Sequence, residues 1–110
     1  MGPLTPAVFH VLLALSGGKL HGYAIAKEVV RQTDGNVRMG PGTLYGTLQR
    51  LLDQGWVAVS ETPGEVDERR RYYRMTGLGK RALEEEVRRM DGLVRAARAA
   101  RIKPPRTSKA

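Results

Sequence analysis

The sequence contains no cysteine among its 110 residues, and its only histidines are His10 and His21. The lack of cysteine excludes disulfide bonds and thiol catalysis, and it removes the usual ligands of structural zinc. The two histidines do not have the spacing of a ligand pair, and zinc requires three or four ligands. We therefore expect no metal site, and the composition fits a reducing compartment such as the cytoplasm.

Long hydrophobic runs are absent as well. The most apolar segment spans residues 7–15, whereas a transmembrane helix needs about 20 residues. This segment has neither a basic lead-in nor a small-residue cleavage site, so we do not expect it to be a secretion signal. The sequence therefore predicts a soluble cytoplasmic protein without a membrane partner.

Catalytic motifs are missing too. Acidic pairs such as Asp67 and Glu68 have no nucleophile beside them, and the glycines at 17–18 and 40–42 form neither a P-loop nor a dinucleotide-binding fingerprint. We expect neither enzymatic activity nor a cofactor. The sequence is instead rich in positive charge, with 19 Lys and Arg against 11 Asp and Glu and a net charge of +8. That excess favours a polyanionic partner.

The hydrophobic pattern predicts three helices, a hairpin and a fourth helix. The first three helices cover about 6–16, 21–33 and 41–54, and glycine-containing breaks separate them. Two strands of about six residues, within 56–61 and 69–75, then surround a charged turn. Thr5, His21 and Thr76 are expected to cap helix starts. Three helices followed by a hairpin form a winged helix-turn-helix, so the predicted fold class is mainly α with a small β-hairpin.

The chain divides into three predicted parts: a DNA-binding unit over 1–76, a C-terminal helix over 77–102 and a basic disordered tail over 103–110. Apolar residues recur in the C-terminal helix at intervals of 4, 3, 4 and 3, which is a heptad-like seam. We expect this seam and the apolar first helix to form a homodimer. The predicted dimer residues are Phe9, Leu12, Leu83, Val87, Met90, Val94 and Ala97. The alternative is that the seam packs on the chain's own first helix, and the two uses are compatible.

The third predicted helix has an apolar face for the core and a small, polar face suited to a DNA groove. Leu44, Leu48 and Leu51 form the apolar face. The predicted DNA contacts on this helix are Gly42, Thr43, Tyr45, Gly46, Thr47, Gln49 and Arg50. Small residues allow close approach, hydroxyls donate to phosphates, glutamine can read adenine, and arginine can reach guanine or a phosphate. The alternative is an ordinary amphipathic helix with Tyr45 packed on the core.

Three consecutive arginines, Arg69, Arg70 and Arg71, lie in the second predicted strand of the hairpin. Side chains alternate along a strand, so Arg69 and Arg71 share one face and Arg70 takes the other. One or two of these arginines can reach a DNA backbone or a minor groove. The alternative is a solvated charge run that is balanced by the acidic residues at 65, 67 and 68.

Several of these segments also occur together in a known family. The segments are His21-Gly22-Tyr23-Ala24-Ile25, Pro41-Gly42-Thr43-Leu44-Tyr45, Leu48-x-Arg50-Leu51, Gly55-Trp56-Val57 and the run from Arg69 to Thr76. In this combination the sequence resembles the PadR family of bacterial transcriptional regulators, from about Leu4 to Leu83. It differs from the usual family pattern at Gly40, where serine is common, and at Gly46, where proline is common.

The resemblance implies a homodimeric repressor that binds operator DNA. In such a protein the third helix enters the major groove, the wing lies along the backbone or minor groove, and the C-terminal helix dimerises. By position, Thr43, Tyr45, Arg50 and the wing arginines match the family's DNA contacts. Many members release DNA when a small effector binds at the dimer interface. Two alternatives stay open: a module whose main role is to sense a small molecule, and a winged helix that binds protein or RNA.

Overall fold

The structure is a computed structural model, and it describes residues 2–60 and 71–106. The elements in chain order are α1 (Pro6–Ala14), a 3-10 turn (Leu15–Gly17), β1 (Leu20–His21), α2 (Gly22–Gln32), α3 (Pro41–Gln54), β2 (Val57–Ser60), β3 (Tyr72–Met75) and α4 (Gly77–Ala99). The predicted charged turn, Arg69, Arg70 and the last residues of the predicted tail, 107–110, lie outside the described residues. The fold is mainly helical with a small antiparallel sheet, as the sequence predicts.

Side-chain caps begin three of the four α-helices. The side chains of Thr5, His21 and Thr76 each accept a hydrogen bond from the backbone N–H three residues later, at 3.3, 3.2 and 3.1 Å. All three predicted caps are therefore confirmed. The α3 helix differs, because Gly40 at its N-cap has no side chain to accept such a bond. It ends where predicted, at Gly55, whose φ of 76° is left-handed and suits glycine.

The sheet has three strands in the order β1-β3-β2, and all pairs are antiparallel. Val57 pairs with Met75 at one end of the hairpin, and Ser60 pairs with Tyr72 at the other. The β3 strand has four residues and not the predicted six. The β2 strand begins at Val57, and its predicted end at residue 61 lies outside the described residues. Arg71 precedes β3, because regular pairing ends at Tyr72. The two-residue strand β1 was not predicted, since two residues are too short for an alternating pattern.

The hydrophobic core forms around α1, which the other helices and the hairpin surround. Val11 and Leu12 of α1 are fully buried in a core cluster that also contains residues of α2, α3, β2, β3 and α4. Of the two adjacent tyrosines on β3, Tyr73 is buried and Tyr72 is partly exposed, which confirms that only one of them points inward. No helix in the described part of the chain is both long enough and apolar enough to cross a membrane.

The α4 helix joins the core only with its first turns. Leu83 is 7% exposed and belongs to the core cluster, and α4 contacts α1 and β3. The prediction that Leu12 and Leu83 lie at a dimer interface is therefore wrong, because the chain's own core already covers them. Phe9 is partly buried against the same core. The alternative that the seam packs on the first helix is correct for the start of α4 only.

Candidate nucleic-acid interface

The outer face of α3 is the candidate DNA-contacting surface. Leu44, Leu48 and Leu51 are buried in the core, so α3 turns its other side to the solvent. The predicted contacts that are exposed on that side are Gly42, Thr43, Tyr45, Gly46, Gln49 and Arg50. We call this set of six residues the α3 face. Its exposure leaves room for a groove of DNA along most of the helix.

Thr47 is the exception, and its prediction as a DNA contact is wrong. Only 2% of Thr47 is exposed, so it cannot meet a ligand in this conformation. It lies three residues after Leu44 and four before Leu51, and residues at these spacings share one side of a helix. Its polar side chain therefore packs within the apolar side that anchors α3 to the core.

The first turn of α3 is open to an approaching backbone. An added Cβ atom at Gly40, Gly42 or Gly46 would meet no other atom within 4 Å. The first N–H groups of a helix have no partner within the helix, and the helix dipole makes this end positive. Phosphate groups bind well at such an end. The glycines therefore give a DNA strand close access to the start of α3.

Two cations lie beside this helix start. Lys27 and Arg38 line a shallow groove of about 420 Å³ together with Tyr23 and Met39, and Met39 directly precedes Gly40. The Lys27 ammonium group lies 5.4 Å from the centroid of the Tyr23 ring, which is 68% exposed. None of these was predicted as a contact. The spacing of four residues between Tyr23 and Lys27 on a helix was the available signal.

The middle of α3 carries the two side chains suited to base edges. The Gln49 Nε2 atom donates a hydrogen bond to Asp53 Oδ1 at 3.0 Å. This bond holds the Gln49 amide and leaves its carbonyl oxygen and second N–H for a ligand. Arg50 is exposed next to it. The pair can thus offer an amide and a guanidinium group to adjacent positions in a major groove.

Tyr45 is half exposed, and its covered side lies against Gly22 at the start of α2. It is therefore neither a core residue nor a free surface side chain, so the alternative that Tyr45 simply packs on the core is wrong. The Tyr73 phenol lies near both Tyr45 and Arg71. Burial raises the pKa of Tyr73, and the Arg71 guanidinium opposes part of that rise. The contact with Gly22 joins the side chain of Tyr45 on α3 to the start of α2.

The wing is described only at its base. Arg71 is exposed, and it lies directly before the first residue of β3 and outside the strand. The Lys19 ammonium group lies 5.7 Å from the centroid of the ring of Tyr72, the first residue of β3. Sequence reasoning missed Lys19, because the β1 strand that places it was not predicted.

The outer part of α4 carries an exposed apolar stripe. Val87, Met90, Leu93 and Val94 are 48%, 39%, 57% and 48% exposed. We call these four residues the α4 stripe. Ion pairs such as that between Asp91 and Arg95, 3.0 Å apart, flank it on the helix. Three of its members were predicted as dimer residues, and the fourth, Leu93, was missed because it lies beside the strict heptad seam.

The three helices, the exposed α3 face and the β2–β3 hairpin define a winged helix-turn-helix of the kind found in DNA-binding regulators. The family model of the PadR-like transcriptional regulators matches residues 11–85. The chain belongs to the PadR-like family, which makes it a transcriptional regulator and not an enzyme. The family resemblance found in the sequence is therefore confirmed.

Two relatives are similar over most of this chain. Transcriptional regulator Rv3488 of Mycobacterium tuberculosis is 37% identical over 86 residues, which make up 78% of this chain and 77% of that protein. An uncharacterized 37.1 kDa protein in transposon TN4556 of Streptomyces fradiae is 42% identical over 80 residues. Those residues make up 73% of this chain and 21% of the transposon protein, so the chain spans about a fifth of its length.

Solved structures share the fold. A transcriptional regulator from Clostridium thermocellum superposes with a TM-score of 0.71 at 26% identity, over 84% of this chain and 89% of that chain. BpsR of Bordetella bronchiseptica, whose DNA binding is regulated by 6-hydroxynicotinic acid, superposes with a TM-score of 0.67 at 26% identity. That match covers 84% of this chain and 64% of BpsR.

Proposed function

We propose that this regulator is a repressor that binds an inverted-repeat operator as a homodimer in the bacterial cytoplasm. The observation that carries the proposal is the α3 face, which is exposed, small at its start and rich in hydrogen-bonding groups further on. A surface of this kind fits the major groove, whose base edges require close approach and directional donors. The net charge of +8 supports a polyanionic partner.

Different parts of the interface have different roles in this proposal. Backbone N–H groups near Gly42 and the hydroxyl groups of Thr43 and Tyr45 bind phosphates, and Gly46 allows close approach. Gln49 and Arg50 read base edges. The further phosphate contacts are Lys27, Arg38, Arg69, Arg70 and Arg71. Phosphate contacts set the register of the protein on the duplex, and base contacts give the sequence preference.

The dimer in this proposal forms through α4. The α4 stripe extends past the part of the helix that the chain's own core covers, and isolated apolar stripes of this kind are a common mark of protein–protein contact. A second copy of the same helix offers the matching surface. A twofold axis would then place the two α3 helices on half-sites about 34–36 Å apart.

Titration of labelled duplexes by fluorescence anisotropy tests this function. The duplexes are the promoter upstream of the protein's own gene and a scrambled sequence of the same composition. We expect the promoter to bind roughly 10³-fold more tightly, or better, at moderate salt. Equal affinity for both duplexes would contradict sequence-specific binding. A promoter fusion in which the protein lowers reporter expression tests repression, and increased expression would contradict it.

Effector sensing is a second candidate function, and a groove on α4 favours it. The groove has a volume of about 490 Å³ and is lined by Trp56, Arg81 and Arg89 together with Leu4 and Leu78. Glu85 and Glu86 also line the groove, and Glu86 already binds Arg89. Trp56 and Arg81 are therefore the groups that suit a small aromatic carboxylate. Because Trp56 is the only tryptophan, its fluorescence reports binding. Aromatic carboxylates that quench Trp56 and release the promoter duplex would support this function, and compounds that do neither would contradict it.

A further inference from the structure

Gly22 follows the helix-capping residue His21 in the His21-Gly22-Tyr23 motif, and capping does not explain why it is a glycine. It is the first residue of α2 and is buried. Its φ angle is not positive, so the backbone does not require the conformational freedom of glycine. The position requires glycine because a larger residue would not fit there with the Tyr45 ring in place. An added Cβ atom would lie 2.8 Å from Tyr45 Cζ and 3.0 Å from Tyr45 Cε1, with the Tyr45 hydroxyl oxygen closer still.

The missing side chain leaves a slot, and the Tyr45 ring lies in it. Gly22 forms one wall of the slot. Half of the Tyr45 surface is still exposed on the α3 face. The ring is thus held in place while part of it remains accessible. An aromatic side chain held in one rotamer loses little conformational entropy when it binds a partner.

We propose that Gly22 is a positioning residue for DNA recognition, because the slot it leaves holds the hydroxyl end of the Tyr45 ring against α2, and from that position the half-exposed Tyr45 side chain meets a DNA phosphate. The inference rests on the proposed function, since it takes Tyr45 as a DNA contact. It adds a residue on α2 that touches no DNA and sets the position of one that does.

The test begins with Gly22→Ala and a matched control, Gly77→Ala. Gly77 is also the first residue of an α-helix behind a capping side chain, but a Cβ atom there would meet no other atom within 4 Å. The added methyl group at position 22 displaces the far end of an exposed side chain, so the fold persists. We expect Gly22→Ala to weaken promoter binding about tenfold, the ratio that one hydrogen bond to a charged group contributes. Gly77→Ala should bind like the wild type.

A double-mutant cycle separates positioning from a general structural effect. In a Tyr45→Ala background the slot is empty, so adding Gly22→Ala should change promoter affinity no further. Additive losses would overturn the proposal, because Gly22 would then act independently of Tyr45. Wild-type affinity in Gly22→Ala, with an affinity loss in Tyr45→Ala, would overturn it as well. If Gly22→Ala does not fold, the double variant should fold and bind like Tyr45→Ala, and its failure would equally refute the slot.

The position of the ring can also be read without DNA. The NMR resonances of the Tyr45 ring in the free protein should shift in Gly22→Ala and stay unchanged in Gly77→Ala. Unshifted resonances would overturn the proposal. A wild-type protein that does not bind the promoter would refute the proposed function, and the ring resonances would still decide whether Gly22 positions Tyr45.

Discussion

Individual side chains on α3 differ in the part of a duplex that they can reach. Arg50 is exposed in the middle of the helix, where a guanidinium group can bind the two acceptors of guanine. Lys27 lies on α2 beside the helix start, where an ammonium group meets a phosphate. The two cations should therefore respond differently to DNA sequence.

Replacing Arg50 by Ala should cost about 1–3 kcal/mol of binding free energy to the promoter and relax the sequence preference at one base position.

Replacing Lys27 by Ala should instead weaken binding to the promoter and scrambled duplexes alike. It should also lower the slope of log affinity against log salt concentration by about one unit. Anisotropy titrations over a range of salt concentrations measure both effects. An Arg50→Ala variant that keeps the wild-type preference would show that Arg50 does not read a base.

Glu86 shows how a single carboxylate links α4 to the start of the chain. Its carboxylate accepts hydrogen bonds from Arg89 Nε at 3.0 Å and Nη2 at 2.7 Å. These bonds hold the pKa of Glu86 below its ordinary value of 4.5, a backbone hydrogen bond from Leu4 adds to the shift, and burial opposes it. Because the folded state favours the charged form, the stabilisation is complete above that value and is lost as the pH falls through the lowered pKa.

Glu86→Gln should therefore lower the melting temperature at pH 7, and the difference from the wild type should shrink below about pH 4.5. Glu85→Gln is the matched control, since the Glu85 side chain is 68% exposed and its nearest oxygen is 3.8 Å from Arg88 Nη1. Exposed pairs of this kind contribute little. Thermal denaturation between pH 3 and pH 7 measures the difference. A deficit in Glu86→Gln that persists unchanged at pH 3 would contradict the role of its charge.

For individual residues, the sequence predicts burial or exposure well only where the helical period and the polarity of the side chain indicate the same outcome. Leu44, Leu48 and Leu51 were expected in the core and lie there. Thr47 shares their side of the helix, but its hydroxyl group suggested a surface residue. Tyr45 could not be assigned from sequence, because its position depends on the backbone of Gly22, which lies on another helix.

Between elements, the α4 helix packs closely on the start of the hairpin at Gly79. Gly79 is buried in the first turn of α4, and an added Cβ atom would collide with the Trp56 carbonyl oxygen and lie 3.1 Å from Met75 Cγ. The neighbour is backbone and not a flexible side chain, so the structure cannot yield easily. Gly77, two residues earlier, has open space around it.

Gly79→Ala should destabilise the protein by about 1–3 kcal/mol, because the added methyl group forces α4 away from the sheet. Gly77→Ala should change stability by less than about 0.5 kcal/mol. Urea denaturation followed by circular dichroism compares the two variants. Equal stability of the two would show that α4 can move off Trp56 at no cost.

Element by element, the sequence predicts the helices better than the sheet. Local hydrogen bonds at Thr5, His21 and Thr76 begin helices, and each depends on a residue only three positions away. The sheet depends on a non-local pairing of Leu20 with Tyr73, and a two-residue strand has no period of its own. The strand was therefore not foreseeable from the pattern.

For the molecule as a whole, the α4 stripe decides the state of association that we propose. Val87→Asp with Val94→Asp should convert a dimer to a monomer in sedimentation velocity experiments, since two charges would be buried in an apolar contact. Leu78→Asp is the matched control, because Leu78 is 53% exposed on α4 but lies in the Trp56 groove and not in the stripe. A dimer that survives the double substitution would place the interface elsewhere.

Two hydrogen bonds of Thr76 connect the end of α3 to the start of α4. The Thr76 hydroxyl donates a hydrogen bond to the Gly55 carbonyl oxygen at 2.6 Å, and its N–H donates to the Trp56 carbonyl oxygen at 3.0 Å. The end of α3 is thus fixed directly to the beginning of α4, so we expect α3 and α4 to move together in the proposed dimer. One base pair inserted between the half-sites of the proposed operator adds about 3.4 Å and turns them by roughly a tenth of a revolution, and we expect this insertion to weaken binding of the dimer.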